Sequence, residues 1–419
     1  MANLSQATLF THDLLLDALT LAPGRLTPDR LVALTATAWE AVLDVANQQH
    51  VTPLLYARLR DKGMQTAVPP FIWLQLRHAH QLNTLRNKII YRELHKFSHA
   101  LQTQNIPFIV LKGAFLADTV YGSIGERVIG DLDLLAPHDA LPQVITISER
   151  FGYKKTQPVV LDVVLAQRHH IPAVINPMTQ LAIEWHWHIV PPTAYYAIPV
   201  DELWQRAVSV TVANIPVHTL SPEDLLLHLA DHISYHHEFT FGIRSLCDLS
   251  VICAVYGAVI DWDVVVDRAK QWHWERGVYL ALRLAKERFG AKVPQFALDT
   301  LRPDDFAEGL VETAVTQIFT DPAEFQFVPT AFRKFQGTQG IADKARIIRD
   351  SLFPSPERMV IRYGIAPGSM SWFRLHLFRW QDLLRQAKRN LRRQSQRENT
   401  ILPAVKRRNE LSAWMALSE

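Results

Sequence analysis

The chain contains little cysteine and no long apolar run. Its two cysteines, Cys247 and Cys253, form neither a CxxC pair nor a disulfide framework, which favours a reducing compartment. The longest apolar stretch, VICAVYGAVI, is far shorter than the roughly 18 residues of a membrane-spanning helix. The N-terminus has no basic leader, so we expect no signal peptide. These absences predict a cytoplasmic protein without a transmembrane segment.

A large excess of one charge is also missing. The formal net charge of the 419 residues is only +3, which argues against a polycation built to wrap nucleic acid. Hydrophobic residues make up 48% of the chain, as is typical of a globular protein. Because the chain is too long for one ordinary core, we expect several domains.

The spacing of apolar residues divides the chain into four regions. Helical periodicity covers residues 1–105, and short apolar strands alternate with helices over 106–220. Helices return over 221–300, where we expect them to close a cleft, and 301–419 is a weaker C-terminal region. The alternation in the second region indicates an α/β or α+β core placed between helical regions.

Two helices have clear sequence signals. The segment after Pro69 and Pro70 repeats apolar residues at helical spacing, with Leu85 and Ile89 among its predicted buried face. Farther along, Ser221 is a predicted N-cap, followed by Pro222 at the first helical position, and Asp224 is predicted to close a capping box.

Two acids stand in an otherwise apolar strand, GERVIGDLDLLAP. Residues i and i+2 of a strand share a face, so Asp131 and Asp133 point one way while Leu132 and Leu134 point to the core. Adjacent carboxylates repel each other unless a cation joins them, and Mg²⁺ binds to a few carboxylates together with substrate phosphates. The pattern therefore predicts a metal site, and the alternative is an acidic strand face in water.

Three other residues near this strand suit a phosphate. Lys112 and Gly113 lie at a predicted strand-to-helix turn, where free backbone N–H groups and a lysine can bind a polyphosphate. Arg127 is a second candidate phosphate clamp.

A third predicted strand, LAIEWHWHIV, supplies a third acid. Its alternation puts Ala182, Glu184, His186 and His188 on one face and the tryptophans on the other. Glu184 would join the aspartates if the two strands were neighbours. His186 could orient a metal ligand or act as a base, although a hydrogen-bonded strand histidine is an equal alternative.

These segments resemble a known family. LKGAFLADTVYG, ERVIGDLDLL, LAIEWHWHI, LSPEDLLLHLADHISYH, IRSLCDLSVI and IDWDVV are similar to the uncharacterised bacterial nucleotidyltransferases of the DNA polymerase beta-like superfamily, over roughly residues 30–290. The resemblance implies an α+β fold with a mixed sheet and the transfer of an NMP group from an NTP to an acceptor hydroxyl.

The resemblance also implies roles for single residues. Asp131, Asp133 and Glu184 would be catalytic and would hold Mg²⁺, with two ions expected, and Gly113 would lie at the phosphate-binding turn. The superfamily usually has Gly-Ser at that turn, whereas this chain has Gly113 and Ala114. We therefore expect Lys112 to take over the phosphate contact. The acceptor is not identified, and a peptide, a sugar, a small metabolite and a protein side chain all remain open.

Two other functions remain open at this point. An inactive nucleotide- or partner-binding module could keep the same fold without the serine. A metal-dependent glycosyltransferase also uses D-x-D, but about a hundred helical residues precede the motif here, which disfavours it.

Two further features bear on ligands and partners. His228, His232 and His236 recur at four-residue spacing, which favours a polar helix face lining the nucleotide cleft over a zinc site. Arg244 and Asp248 could pair within one helix.

From Arg374 to Arg408 there are eleven basic residues against two acidic ones. This tail is either an amphipathic helix that meets an anionic membrane or nucleic acid, or a helix packed on the body.

Overall fold

The fold is α+β, with one mixed sheet of seven strands among many helices. The computed structural model describes residues 6–157, 161–166, 168–191, 198–240, 242–320, 341–355, 359, 363, 374, 376–385 and 398–416.

Helices and one short turn make up the regular structure of the described residues before the sheet, from Gln6 to Thr103. The elements are α1 (Gln6–Leu19), α2 (Pro28–Val32), α3 (Ala36–Gln48), α4 (Thr52–Asp61), a 3₁₀ turn (Gln65–Ala67) and α5 (Pro70–Thr103). Pro69 precedes α5, whose first residue Pro70 has no N–H to lose at that position.

The predicted buried face of α5 is wrong in its middle. Leu85 and Ile89 are exposed, and the buried positions there include Asn83 and Asn87. The neighbour of this face is a loop whose backbone carbonyls need donors, so amide side chains suit it better than leucine does.

The sheet is assembled from strands distant in sequence. The strands are β1 (Ile109–Val110), β2 (Leu132–Leu135), β3 (Lys154–Lys155), β4 (Val174–Ile175), β5 (Ala182–His186), β6 (Val208–Val212) and β7 (Ile215–Thr219), in the order β3-β4-β5-β2-β1-β7-β6. The pairs β2–β5 and β1–β7 are parallel and the other four are antiparallel.

The parallel pair β2–β5 is the centre of the sheet. Leu132 pairs with Ile183 and Leu134 with Trp185, and all four side chains are fully buried. The alternation of these apolar residues with acids fixes the register, since a slip by one residue would turn the acids into the core.

The remaining elements pack around this sheet. Those that connect its strands are α6 (Lys112–Thr119), a 3₁₀ turn (His138–Ala140), α7 (Leu141–Arg150), α8 (Leu161–Leu165) and α9 (Val200–Arg206). Those that follow the sheet are α10 (Pro222–Asp231) with a π-helical turn (His232–His236), α11 (Gly242–Val255), α12 (Trp262–Gln271), α13 (Glu275–Phe289), α14 (Gln295–Leu301), α15 (Gly309–Ile318), α16 (Ile341–Leu352) and α17 (Glu398–Ala416).

The start of α10 confirms one part of its sequence signal and corrects another. The Ser221 hydroxyl accepts the Asp224 N–H, as an N-cap does. The Asp224 carboxylate does not close the capping box, because it is fully buried and accepts hydrogen bonds from Arg206 and Arg268. The Asp224 carboxylate binds two guanidinium groups, from α9 and α12, instead of a single backbone N–H.

The end of the basic tail packs on the body. Leu411, Trp414 and Met415 of α17 are buried, and the Trp414 ring lies 5.7 Å from that of Phe306. Arg408 pairs with Glu238. Of the two alternatives for the tail, a helix packed on the body thus holds for α17. Residues 386–397 of the tail lie outside the described residues. In the part of the chain described, no helix is long and apolar enough to cross a membrane.

The packing of α17 predicts a stability difference between two leucines of the basic tail. Leu411→Ala should lower the free energy of unfolding by about 2–5 kcal/mol, because Leu411 is fully buried and truncation leaves a cavity. Leu384→Ala, at an exposed position, is the control and should change it by less than about 0.5 kcal/mol. Urea denaturation measures both, and equal values would mean that α17 is not packed on the body.

Candidate active site

A cavity of about 420 Å³ opens beside the centre of the sheet. It is lined by all six residues that the sequence singled out for metal or phosphate: Lys112, Gly113, Arg127, Asp131, Asp133 and Glu184. The structure therefore brings together residues separated by more than seventy positions in the chain.

The register of β2 and β5 places the acids side by side. Asp133 pairs directly with Glu184 across the parallel strands, and Asp131 lies just before β2. The charge of Asp133, together with burial, raises the pKa of Asp131. Burial, followed by the charges of the two aspartates, raises the pKa of Glu184 to about 7. The charge of Asp133 thus destabilises the charged forms of both Asp131 and Glu184.

Two groups of the protein partly offset this negative charge. The Lys112 Nζ lies 3.5 Å from Asp133 Oδ1, and the His186 Nε2 lies 2.9 Å from the same oxygen. Burial holds the pKa of His186 well below its usual value, so the ring is neutral and its Nε2–H donates to the carboxylate. His186 is therefore a hydrogen-bonded strand histidine that contacts an acid.

The donor set fits a divalent cation. Ligand atoms of Asp133, Glu184 and His186 all lie within 4.8 Å of one another, and no other described residues form such a group. Oxygen ligands from two carboxylates suit Mg²⁺.

The turn after β1 has an unusual backbone. Lys112 begins α6 with a φ of 43°, in the left-handed region that a lysine seldom adopts. Gly113 follows, and a Cβ at this position would lie 2.5 Å from the Arg127 Nη1. Ala114 is packed in the core, so its side chain does not reach the cavity. A serine hydroxyl at position 114 would therefore face the same core.

Arg127 is already engaged by the protein. Its guanidinium donates to both carboxylate oxygens of Asp248, at 2.8–3.2 Å, and Tyr121 donates to Asp248 Oδ1 at 2.7 Å. The predicted helix pair between Arg244 and Asp248 is thus replaced by a buried pair with Arg127. A phosphate would have to share Arg127 with Asp248.

Arg244 is the cation that the sequence did not assign to the site. It lines the cavity, and its charge lowers the pKa of Asp131. Its recorded hydrogen bond is a 3.4 Å contact to the Val128 carbonyl, and within the described residues it has no ion pair. Burial and the nearby Arg127 lower its pKa, so it gains from any anion that enters.

Two asparagines of α5 hold the loop that carries Arg127. Asn83 donates to the carbonyls of Gly125 and Arg127, and Asn87 donates to those of Ile124 and Arg127. Sequence reasoning missed them. The signal was present as two amides at i and i+4 in a helix of otherwise apolar spacing.

Histidines form much of the remaining lining. His228, His232 and His236 all line the cavity, as the predicted polar helix face requires. Their ring centroids are 6.5 Å and 6.0 Å apart in sequence order, and they are not among the residues that converge on a metal position. The zinc alternative therefore finds no support in the described residues.

The strand predicted over LAIEWHWHIV, which is β5 in the structure, is shorter than expected. β5 ends at His186, so His188 does not share its face. The His188 Nε2 lies 2.8 Å from the Ile198 carbonyl, and its Nδ1 accepts the Val190 N–H. His188 is a buried structural residue that turns the chain out of the sheet.

Comparisons with known proteins bear on the family of the chain. A family model described as "uncharacterised nucleotidyltransferase" matches residues 35–290. Among solved structures, the antibiotic-resistance factor ANT(2'')-Ia is similar, with 14% identity, a TM-score of 0.31, and coverage of 50% of this chain and 95% of its own. A nucleotidyltransferase-like protein from Paracoccidioides brasiliensis has 13% identity, a TM-score of 0.29, and coverage of 49% and 94%. No curated protein matches the chain.

The buried Arg127–Asp248 pair generates a stability prediction. Asp248→Asn should lower the free energy of unfolding by about 3–5 kcal/mol, because it leaves a buried guanidinium without its counter-charge. The double variant Arg127→Met/Asp248→Asn should cost less than the sum of the single changes. Asp305→Asn is the control, since Asp305 pairs with Arg276 at an exposed position worth about 0–1 kcal/mol. Additive effects in a denaturation cycle would contradict the pairing.

Proposed function

Because the chain belongs to this family of nucleotidyltransferases, we propose that it transfers an NMP group from an NTP to the hydroxyl of an acceptor with the help of Mg²⁺. The observation that carries the proposal is the register of Asp133 against Glu184 beside Lys112. This arrangement places two acids that could bind a cation, and a lysine that could bind a phosphate chain, in one cavity.

The reaction makes one bond and breaks another at the α-phosphorus. The acceptor oxygen bonds to the α-phosphorus, and the bond from that phosphorus to the bridging oxygen of pyrophosphate breaks. The acceptor hydroxyl loses its proton, and Glu184, which lies beside Asp133, would help to take it. Pyrophosphate leaves with the electron pair of the broken bond.

Asp131, Asp133 and Glu184 would hold Mg²⁺, as their mutual repulsion suggests. The bound ions would offset negative charge on the phosphates and on the attacking oxygen. The protein's own part is to keep the acids together by the β2–β5 register and to keep Asp133 oriented through His186. Lys112, now near Asp133, would be free to turn to the phosphates.

The triphosphate would lie along the cations of the cavity. Lys112 and Gly113 at the start of α6 supply one charge and free backbone N–H groups. Arg244 supplies a second charge near Asp131, and Arg127 would share its guanidinium between Asp248 and the phosphates. Electrostatic positioning of this kind supplies most of the rate in phosphoryl-type transfer.

The acid cluster predicts opposite effects of one substitution with and without ligand. Burial and the aspartates raise the pKa of Glu184, so its charge opposes folding increasingly as pH rises from about 4.5 to about 7. Glu184→Gln should therefore melt at the same temperature as wild type or higher in EDTA at pH 8. It should lose most of the stabilisation by Mg²⁺ and NTP, which for wild type is about 2.7 kcal/mol at a hundredfold excess over Kd.

Glu149→Gln is the control for this experiment, because Glu149 is an exposed acid paired with Lys155. It should melt like wild type under every condition. Parallel melting of wild type and Glu184→Gln, with and without Mg²⁺–NTP, would remove the metal site from the proposal. It would favour an inactive module instead.

The position of Lys112 predicts a selective loss of triphosphate affinity. Lys112→Ala should weaken NTP binding about tenfold or more and NMP binding much less, since the ammonium group would contact the β- and γ-phosphates. Calorimetric titration measures both, with Lys154→Ala at an exposed strand position as the control. Equal weakening of NTP and NMP would place Lys112 elsewhere, as would an unchanged affinity for both.

A further inference from the structure

Six histidines form a continuous surface next to Glu184, which we call the histidine face: His169, His170, His186, His228, His232 and His236. His170 and His186 each have a ring nitrogen within 4 Å of Glu184 Oε2, at 3.9 and 3.7 Å. The ring of His169 lies 5.4 Å from that of His186 and 5.1 Å from that of His236. From there the face continues to His232 and His228.

Several nitrogens of this face are buried without a partner. Neither ring nitrogen of His228 has a hydrogen bond, although its side chain is only 3% exposed. The Nδ1 atoms of His169 and His186 are also buried and unbonded. Each buried polar atom without a hydrogen bond lowers the stability of the fold. Folding alone therefore gives no reason for a histidine at position 228, and a ligand in the cavity does.

The chemistry of these rings narrows the ligand. Burial lowers the pKa of His228 and His232 well below the usual value, and that of His236 to about 4. Each ring is thus neutral near pH 7 and offers one N–H donor and one nitrogen acceptor. The rings of His228, His232 and His236 are not among the residues that converge on a metal position, and they carry no positive charge for an anion.

From these contacts we infer that the histidine face binds the acceptor and that the acceptor is an uncharged molecule with several hydroxyl groups, of the sugar or cyclitol class. A hydroxyl both donates and accepts, so it matches a neutral imidazole at each contact. The inference rests on the proposed nucleotidyl transfer and names the substrate class for it.

The arrangement of charges supports this assignment of the two substrates. Arg244 and Lys112 both lower the pKa of Asp131, so the phosphates have cations near the aspartates. His170 and His186 border Glu184, which pairs with Asp133 across the two central strands. An acceptor on the histidine face would therefore present a hydroxyl to Glu184. The cavity volume suits a small molecule rather than a protein domain.

The first test compares two buried histidines without any ligand. His228→Leu should melt at the temperature of wild type or above it, because it removes two unpaired polar atoms. His188→Leu is the matched control and should melt lower, since both of its ring nitrogens are bonded. If His228→Leu loses stability as His188→Leu does, the ring has a structural role and the inference fails.

The second test uses defined acceptors with wild type, His228→Leu and His228→Gln. Pyrophosphate release from Mg²⁺–NTP is measured with methyl α-D-glucopyranoside, myo-inositol, a serine-containing peptide and a short RNA. We expect a sugar or cyclitol to stimulate release by wild type. His228→Leu should raise its KM about tenfold, as loss of a hydrogen bond does, with the KM for NTP unchanged. His228→Gln, which keeps a donor and an acceptor, should restore part of the affinity.

Release stimulated by the peptide or the RNA alone would overturn the inference, as would no stimulation by any polyol. An equal rise of both KM values in His228→Leu would also overturn it. In each of these cases a normal Mg²⁺–NTP melting shift of wild type would leave the proposed function standing. Absence of that shift would refute the proposed function, and the inference would fall with it.

Discussion

The mutual repulsion of three carboxylates is the constraint around which this protein is organised. The parallel pairing of β2 and β5 holds Asp133 beside Glu184, and Asp131 lies just before β2. The charge of Asp133 raises the pKa of Asp131, and burial followed by the charges of the two aspartates raises that of Glu184. The fully buried Leu132 and Trp185 on the intervening positions fix the register, so the acids cannot move apart without exposing the core. The fold thus keeps acids close together although their charges oppose one another.

The surroundings of the acids reduce this cost without removing it. Lys112 and His186 contact Asp133, but the pKa of Glu184 stays raised. Behind them, Asp248 neutralises Arg127, so that Arg244 is left as a cation without an ion pair in the described part of the chain. The cavity therefore contains a cluster of acids and, separately, a cation without an ion pair among the described residues. Charged arrangements that lower the stability of the fold are usual at functional sites.

Sequence reasoning reached the residues whose placement depends on local periodicity. The one-residue spacing of Asp131 and Asp133, the apolar alternation around Glu184 and the turn at Lys112 are all readable within ten residues. The partner of Arg127 was not readable, because Asp248 lies 121 positions away and many acids could have served. The periodicity of apolar residues also failed to predict which side chains are buried where the buried surface is polar.

Two cases illustrate that last failure. Asn83 and Asn87 are buried because the loop against α5 presents carbonyls, and no pattern within α5 reveals what lies opposite it. The alternation of LAIEWHWHIV continues beyond His186, where β5 ends. His188 is nevertheless buried, because both of its ring nitrogens bind backbone groups. In both cases a tertiary partner decided the outcome.

The central claim is that the acids of β2 and β5 form a metal–nucleotide centre. Crystals grown with Mn²⁺ and a non-hydrolysable NTP test it most directly, through anomalous difference density. The account predicts a Mn²⁺ peak bound by Asp133 and Glu184 and by the triphosphate, with the Lys112 ammonium group moved to the phosphates. A peak among His228, His232 and His236, or a triphosphate bound away from the acids without any metal, would contradict it.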